Sequence, residues 1–252
     1  MKKYKLTYPV FIFCILNILF AVLLGLTLSF DYLPFQWFPG ILAIILTIII
    51  GGKKDLCLLF KKLAIKKQYG RWYLFSLFYP IIVSSLAFCI LSYHINGHLS
   101  FPQLNHSFIE YLLLLFTIIW GSIGEELGWR GFMLPLLNKR NSLLKSSLII
   151  GIFWGIWHMY FFSGIHIFLI YMILTCEFSL VMSWIQSKIN GNIIPAIISH
   201  SSFNFCALLF FEGLFIAEDS YTLFLIYTAI VVSSVIPCLF LIKTLKNRVD
   251  KA

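Results

Sequence analysis

Long apolar runs are the feature that most limits what this chain can fold into. A helix needs about 20 mostly apolar residues to cross a bilayer, where only helices and closed barrels satisfy their backbone polar groups. Eight such runs, bounded by charge, glycine or proline, cover residues 8–30, 36–52, 72–94, 108–137, 146–164, 165–187, 189–211 and 221–243. The sequence therefore predicts an all-α, polytopic membrane protein with about eight transmembrane helices in one domain, residues 1–252.

The basic residues predict how these helices are oriented. With the amino terminus in the cytoplasm, 18 of the 19 Lys and Arg residues fall on the cytoplasmic side, and the nineteenth, Arg130, lies inside the fourth run. The predicted outer loops, 31–35, 94–107 and 212–220, contain no Lys or Arg. This distribution satisfies the positive-inside rule and places both termini in the cytoplasm.

Neither the charge nor the cysteines favour a nucleic-acid partner or a structural metal. The net charge of +9 comes from residues at membrane edges, which indicates attraction to an anionic inner leaflet. Segment 53–67 mixes apolar and basic positions at helical spacing and is predicted to lie along the inner surface. The six cysteines are scattered without disulfide or zinc-ligand spacing, so they are expected to act as small apolar residues.

The fourth run differs from the others in its length and in its helix-breaking residues. It is longer than a single span and contains four glycines between residues 121 and 131, followed by Pro135. We expect a kink or a break inside it.

A few ionisable residues lie inside the runs, where each charge costs at least a few kcal/mol and so marks a functional candidate. Glu125, His158 and His200 lie 14, 13 and 12 residues from the lysine at the cytoplasmic end of their run. At the rise of an unbroken helix these separations are all about 18–21 Å. Three polar residues from three helices are therefore predicted at one depth near the bilayer middle. Glu177 lies at a similar depth and has no assigned role.

Spacing within each helix adds partners to these residues. Glu126 and Arg130 are four apart with the acid first, which favours an ion pair that braces the helix. His200 and Asn204 are also four apart and share a face. Glu125 has no such partner, so we expect it to meet a histidine from another helix.

Together, Glu125, His158, His200 and Asn204 provide the groups needed to hydrolyse a peptide bond. A carboxylate beside a histidine can hold and deprotonate water, while a second histidine and an amide can stabilise an oxyanion. We expect no cofactor, although two histidines and a glutamate could also bind zinc. Two non-enzymatic alternatives are an immunity or binding protein of the membrane and a proton-coupled transporter that uses Glu125 and Glu177.

Three short motifs in sequence resemble a known family. Residues 125–130, EELGWR, match the EExxxR motif of the CAAX protease and bacteriocin-processing (CPBP) family, or type II CAAX prenyl endopeptidases. Residues 154–158 look like its FxxxH motif, with Trp154 where phenylalanine is usual, and residues 200–204 are similar to its HxxxN motif. The matching region covers about residues 120–210.

The resemblance implies an eight-helix intramembrane peptidase with a cavity that opens to the cytosol. It implies that Glu125 and His158 activate water, that His200 and Asn204 stabilise the oxyanion, and that Glu126 and Arg130 support the site. The substrate would be a peptide or a membrane-protein tail, in bacteriocin processing or self-immunity. Abundant Ile, Phe, Lys and Asn favour a bacterial cell membrane as the location.

Overall fold

The computed structural model describes residues 7–27, 33–215 and 220–249. These residues form nine α-helices and no β-strand, so the predicted all-α fold class is confirmed. The residues before 7 and after 249, and parts of the predicted outer loops 31–35 and 212–220, lie outside the described residues. The helices are α1 (Thr7–Thr27), α2 (Leu33–Lys61), α3 (Gly70–Asn96), α4 (Phe108–Glu126), α5 (Leu134–Asn138), α6 (Leu143–Trp157), α7 (Ile165–Ser187), α8 (Ile194–Phe215) and α9 (Ser220–Val249).

Every predicted apolar run corresponds to a helical segment in the described part of the chain. Six of these segments are long and apolar enough to cross a membrane: Phe35–Lys61, Lys67–Asn96, Phe108–Asn138, Ile165–Ser187, Ile194–Glu212 and Ser220–Lys246. The first and fifth runs form shorter apolar helices, Tyr8–Leu24 and Leu143–Trp157. The fifth is shorter than predicted because α6 ends at Trp157 and a 3₁₀ turn, Tyr160–Ser163, leads into α7.

The predicted break in the fourth run is confirmed and takes the form of a π-helix. α4 begins at a capping box in which the Ser107 side chain and the Glu110 side chain each bond the other residue's backbone N–H. α4 ends at Glu126, and residues Leu127–Met133 continue as a π-helical segment before α5. Such segments are rare and occur mostly at functional sites. Here the segment directly follows the paired glutamates.

Small residues bring α2 very close to α4 and the π-helical segment. A Cβ added at Gly40 would lie 2.6 Å from the carbonyl oxygen of Gly124, and a Cβ added at Gly128 would lie 2.6 Å from Pro39 Cβ. In membranes, where apolar burial gains little between helices, such close backbone approach provides much of the packing energy. The predicted kink region is therefore packed tightly on its neighbour.

The basic segment that follows the second apolar run contacts the π-helical segment. This contact lies at the end of the bundle that is predicted to face the cytoplasm. α2 kinks at Gly52, whose φ of +66° favours glycine, and continues as a helix to Lys61. Lys62 Nζ donates a hydrogen bond of 2.5 Å to the carbonyl oxygen of Gly131. Burial, and then the nearby charge of Lys139, lowers the pKa of Lys62 to about 8.

We predict that Gly40→Ala lowers the unfolding midpoint of the purified protein by about 2–10 °C, because overpacking a tight contact costs about 1–3 kcal/mol. The measurement is thermal unfolding in detergent. Gly70→Ala is the matched control, since a Cβ there meets no atom within 4 Å. Equal midpoints for the two variants would contradict the close packing of α2 on α4.

Candidate active site

The two adjacent glutamates at the end of α4 are both buried, and they face different partners. Glu125 is 2% exposed and Glu126 is fully buried. Glu125 Oε2 accepts a hydrogen bond of 2.8 Å from the indole Nε1 of Trp154 on α6. Glu126 instead meets Arg130 and His200. The pair therefore links α4 to both α6 and α8.

Glu126 binds two basic side chains through one oxygen. Its Oε1 lies 3.0 Å from Arg130 Nη1 and 2.9 Å from His200 Nδ1, and all three side chains are nearly or fully buried. The predicted ion pair between Glu126 and Arg130 is confirmed. The bond to His200 was not predicted, because residue counting gives the depth of a side chain and not the direction in which it points.

This cluster sets the orientation of the His200 ring. A carboxylate can only accept hydrogen bonds, so the Nδ1–H of His200 donates and Glu126 Oε1 accepts. Any contact between His200 and a substrate is then left to Nε2. If the ring also carries a proton on Nε2, the imidazolium is a hydrogen-bond donor held next to a buried carboxylate.

His158 is oriented by the end of its own helix. It is the residue after Trp157, where α6 ends, and its Nδ1 lies 2.8 Å from the carbonyl oxygen of Trp154. A carbonyl oxygen can only accept, so Nδ1–H is the donor and Nε2 of the neutral ring keeps its lone pair. The next residue, Met159, has a φ of +60°, a conformation that costs a non-glycine residue energy and often occurs at functional sites.

The four residues predicted as catalytic lie around two cavities that share His158. One cavity, of about 300 Å³, is lined by Glu125 and His158 together with aromatic residues that include Tyr160. The other, of about 20 Å³, is lined by His158, His200 and Asn204. The structure therefore brings together residues from α4, the end of α6 and α8, as their equal depth predicts.

The direct partner of Glu125 differs from the expected one. We expected a histidine from another helix, and the hydrogen bond comes from the Trp154 indole instead, while His158 shares the larger cavity with Glu125. Trp154 lies one turn before His158 on α6, and its long indole side chain reaches Glu125 directly. The aromatic departure from the FxxxH motif was the sequence signal for this contact.

Three tyrosines near His158 were also missed by the sequence analysis. Tyr171 lines the smaller cavity, and its ring centroid lies 5.0 Å from that of His158. Tyr160 and Tyr227 pack on Tyr171 with centroids 4.4 Å and 5.0 Å away. Because aromatic residues are common throughout this chain, nothing in the sequence distinguishes these three.

Glu177 is placed away from these cavities. It lies on α7 and accepts a hydrogen bond of 2.5 Å from Ser234 Oγ on α9, and neither cavity is lined by it. The Ser234 hydroxyl therefore gives this half-buried carboxyl a hydrogen-bond partner between two helices. Among the residues that the structure describes, no group of three His, Cys, Asp or Glu side chains is arranged to hold a metal ion.

Comparison with known proteins finds a family match over the region that contains this site. Residues 106–206 match the family model described as "Type II CAAX prenyl endopeptidase Rce1-like". The predicted family resemblance is confirmed. The Rce1-like region contains all six motif residues that carried the resemblance, from Glu125 to Asn204. This is a family of membrane proteases, and the apolar helices agree with an integral membrane protein.

A curated relative supports the same family. The chain is similar to "CAAX prenyl protease 2" from Methanococcus maripaludis, with 30% identity over 130 residues. The match covers 46% of this chain and 48% of the relative, so the chain spans about half the length of the curated relative it matches. The family match at residues 106–206 covers the part of the chain that builds the candidate site.

We predict that Arg130→Met lowers the stability of the protein by about 3–5 kcal/mol, because it leaves the Glu126 carboxylate buried without its guanidinium partner. Thermal unfolding in detergent measures the loss. Arg71→Met is the control, since Arg71 is an exposed arginine that stacks on Trp72. If both variants unfold at the wild-type temperature, the buried cluster does not stabilise the fold.

Proposed function

We propose that this protein is an intramembrane endopeptidase that hydrolyses a peptide bond by direct attack of water. The observation that carries the proposal is the meeting of Glu125, His158, His200 and Asn204, from three separate helices, around two cavities that share His158. The Rce1-like match of the same region supports this reaction class.

Glu125 and His158 are proposed to activate the water. Both line the larger cavity, and the lone pair that the Trp154 carbonyl leaves on His158 Nε2 can accept a proton from water. The hydroxide oxygen then forms a bond to the scissile carbonyl carbon, and the carbonyl electrons move to its oxygen. The oxyanion electrons then re-form the carbonyl bond as the carbon–nitrogen bond breaks, and the proton held by the pair passes to the leaving amine.

His200 and Asn204 are proposed to stabilise the oxyanion. Both line the smaller cavity, where an Nε2–H of protonated His200 and the amide N–H of Asn204 can donate to the developing charge. Glu126 holds His200 through Nδ1, and Arg130 shares the charge of that carboxylate. When His200 is protonated, the cluster of Glu126, Arg130 and His200 has a net positive charge, which stabilises the oxyanion.

The proposed substrate is a peptide or the tail of a membrane protein, reached from the cytoplasmic side of a cell membrane. The name of the relative, a prenyl protease, makes a prenylated tail the first substrate to test, and an unprenylated peptide of the same sequence is its comparison. Bacteriocin processing or self-immunity is the proposed biological setting. The mechanism above uses only side chains of the protein, so we propose that it needs no metal.

We predict that Glu125→Gln lowers peptide cleavage by at least about 100-fold, because the amide cannot take part in deprotonating water. The assay is mass spectrometry of a mixture of farnesylated and unmodified tail peptides incubated with purified protein. The variant should unfold at a temperature close to that of the wild type. Glu177→Gln is the matched control, since it alters a half-buried carboxyl outside both cavities and should retain activity.

Full activity in Glu125→Gln would exclude this mechanism. Loss of activity in both glutamine variants would indicate a general effect of altering a buried acid. A chelator such as 1,10-phenanthroline in the same assay should leave the rate unchanged, and inhibition that added zinc reverses would replace the metal-free mechanism with a zinc-dependent one.

A further inference from the structure

Trp154 lies at the centre of the candidate site and bonds to both members of the proposed water-activating pair. Its indole Nε1–H donates to Glu125 Oε2 over 2.8 Å, and its backbone carbonyl accepts from His158 Nδ1 over 2.8 Å. The side chain is only 5% exposed, so water does not compete effectively for these bonds. One residue of α6 therefore fixes an acid on α4 and a histidine at the end of its own helix.

The indole also contacts the oxyanion half of the site. The guanidinium carbon of Arg130 lies 4.5 Å from the centroid of the Trp154 ring, and the His200 ring packs edge-on at 5.1 Å. An indole face attracts a cation, which places the Arg130 charge beside the ring while its Nη1 bonds to Glu126. Trp154 thus packs between the proposed water-activating pair, Glu125 and His158, and the oxyanion half of the site.

The bond to Glu125 is specific to this tryptophan and does not follow from burial alone. Trp37, Trp129 and Trp157 also have buried indole nitrogens, and within the described residues these nitrogens have no hydrogen-bond partner. The phenylalanine that is usual at position 154 in the resembling family has no donor at all.

We propose that Trp154 is a positioning residue, whose indole N–H holds Glu125 Oε2 so that Oε1 is directed to water beside His158. The inference rests on the proposed peptidase function. A carboxylate fixed at one oxygen loses rotational freedom before the reaction, and a geometry set in advance contributes to rate in the transition state. Loss of this hydrogen bond should lower kcat and leave KM unchanged, because orienting Glu125 does not require Trp154 to contact the substrate.

The first test measures the contact itself and needs no substrate. The full-length protein is labelled with ¹⁵N at its tryptophan indoles and studied by NMR in detergent micelles. Trp154→Phe identifies the Trp154 signal by its loss, and Glu125→Ala should then move the indole proton of Trp154 upfield. The signal of Trp129, whose nitrogen has no hydrogen-bond partner in the described part of the chain, should not move. An unchanged Trp154 signal would overturn the proposal.

The second test measures the consequence. Trp154→Phe should lower kcat about tenfold or more, with KM unchanged, because Glu125 then loses the hydrogen bond that orients it before the reaction. Trp129→Phe is the matched control, since it removes an equally buried indole without breaking a hydrogen bond, and it should leave both constants unchanged. A normal kcat in Trp154→Phe, or a change confined to KM, would overturn the positioning role.

The two tests separate this proposal from the proposed function. If the wild-type protein cleaves no tail peptide, the peptidase function fails, and the NMR shift alone decides whether Trp154 holds Glu125. If the wild type cleaves and Glu125→Gln does not, the function stands, and the kcat of Trp154→Phe decides the role of the indole.

Discussion

Two adjacent glutamates buried in a membrane-spanning helix are the constraint on which the rest of this structure depends. Each carboxyl must find hydrogen-bond donors inside the bundle, because neither lipid nor bulk water supplies them at that depth. Glu125 finds one on α6 and Glu126 finds two, Arg130 on the π-helical segment that follows α4 and His200 on α8. These hydrogen bonds join α4 and the π-helical segment to α6 and α8, which also form the walls of the candidate site.

The backbone around the two glutamates allows these hydrogen bonds to form. The π-helical segment after Glu126 carries Arg130, whose guanidinium bonds that acid, and Gly40, Gly124 and Gly128 let α2 pack directly on the α4 backbone. At the end of α6, the carbonyl of Trp154 fixes His158. Local conformation and buried polar contacts thus agree, which is the consistency expected of a sequence that specifies one structure.

The sequence predicted most of the fold because a helix that crosses a membrane needs a long apolar run, and such runs are visible without an alignment. It predicted the break before Pro135 and the pairing of Glu126 with Arg130, since both follow from local spacing. Residue counting also placed Glu125 and His200 at one depth. It could not assign the His200 bond to Glu126 or the indole bond to Glu125, because the rotation of each helix is set by tertiary packing. The early end of α6 at Trp157 has no breaker residue that marks it.

The central claim is that buried Glu125 serves to cut peptide bonds in addition to joining helices. The most direct measurement compares protein and peptide termini by mass spectrometry in cells that express either the wild-type chain or Glu125→Gln at equal membrane levels. The account predicts a small set of new termini that occur only with the wild type and that lie near a membrane-associated tail. Identical sets of termini in the two cell lines would contradict it.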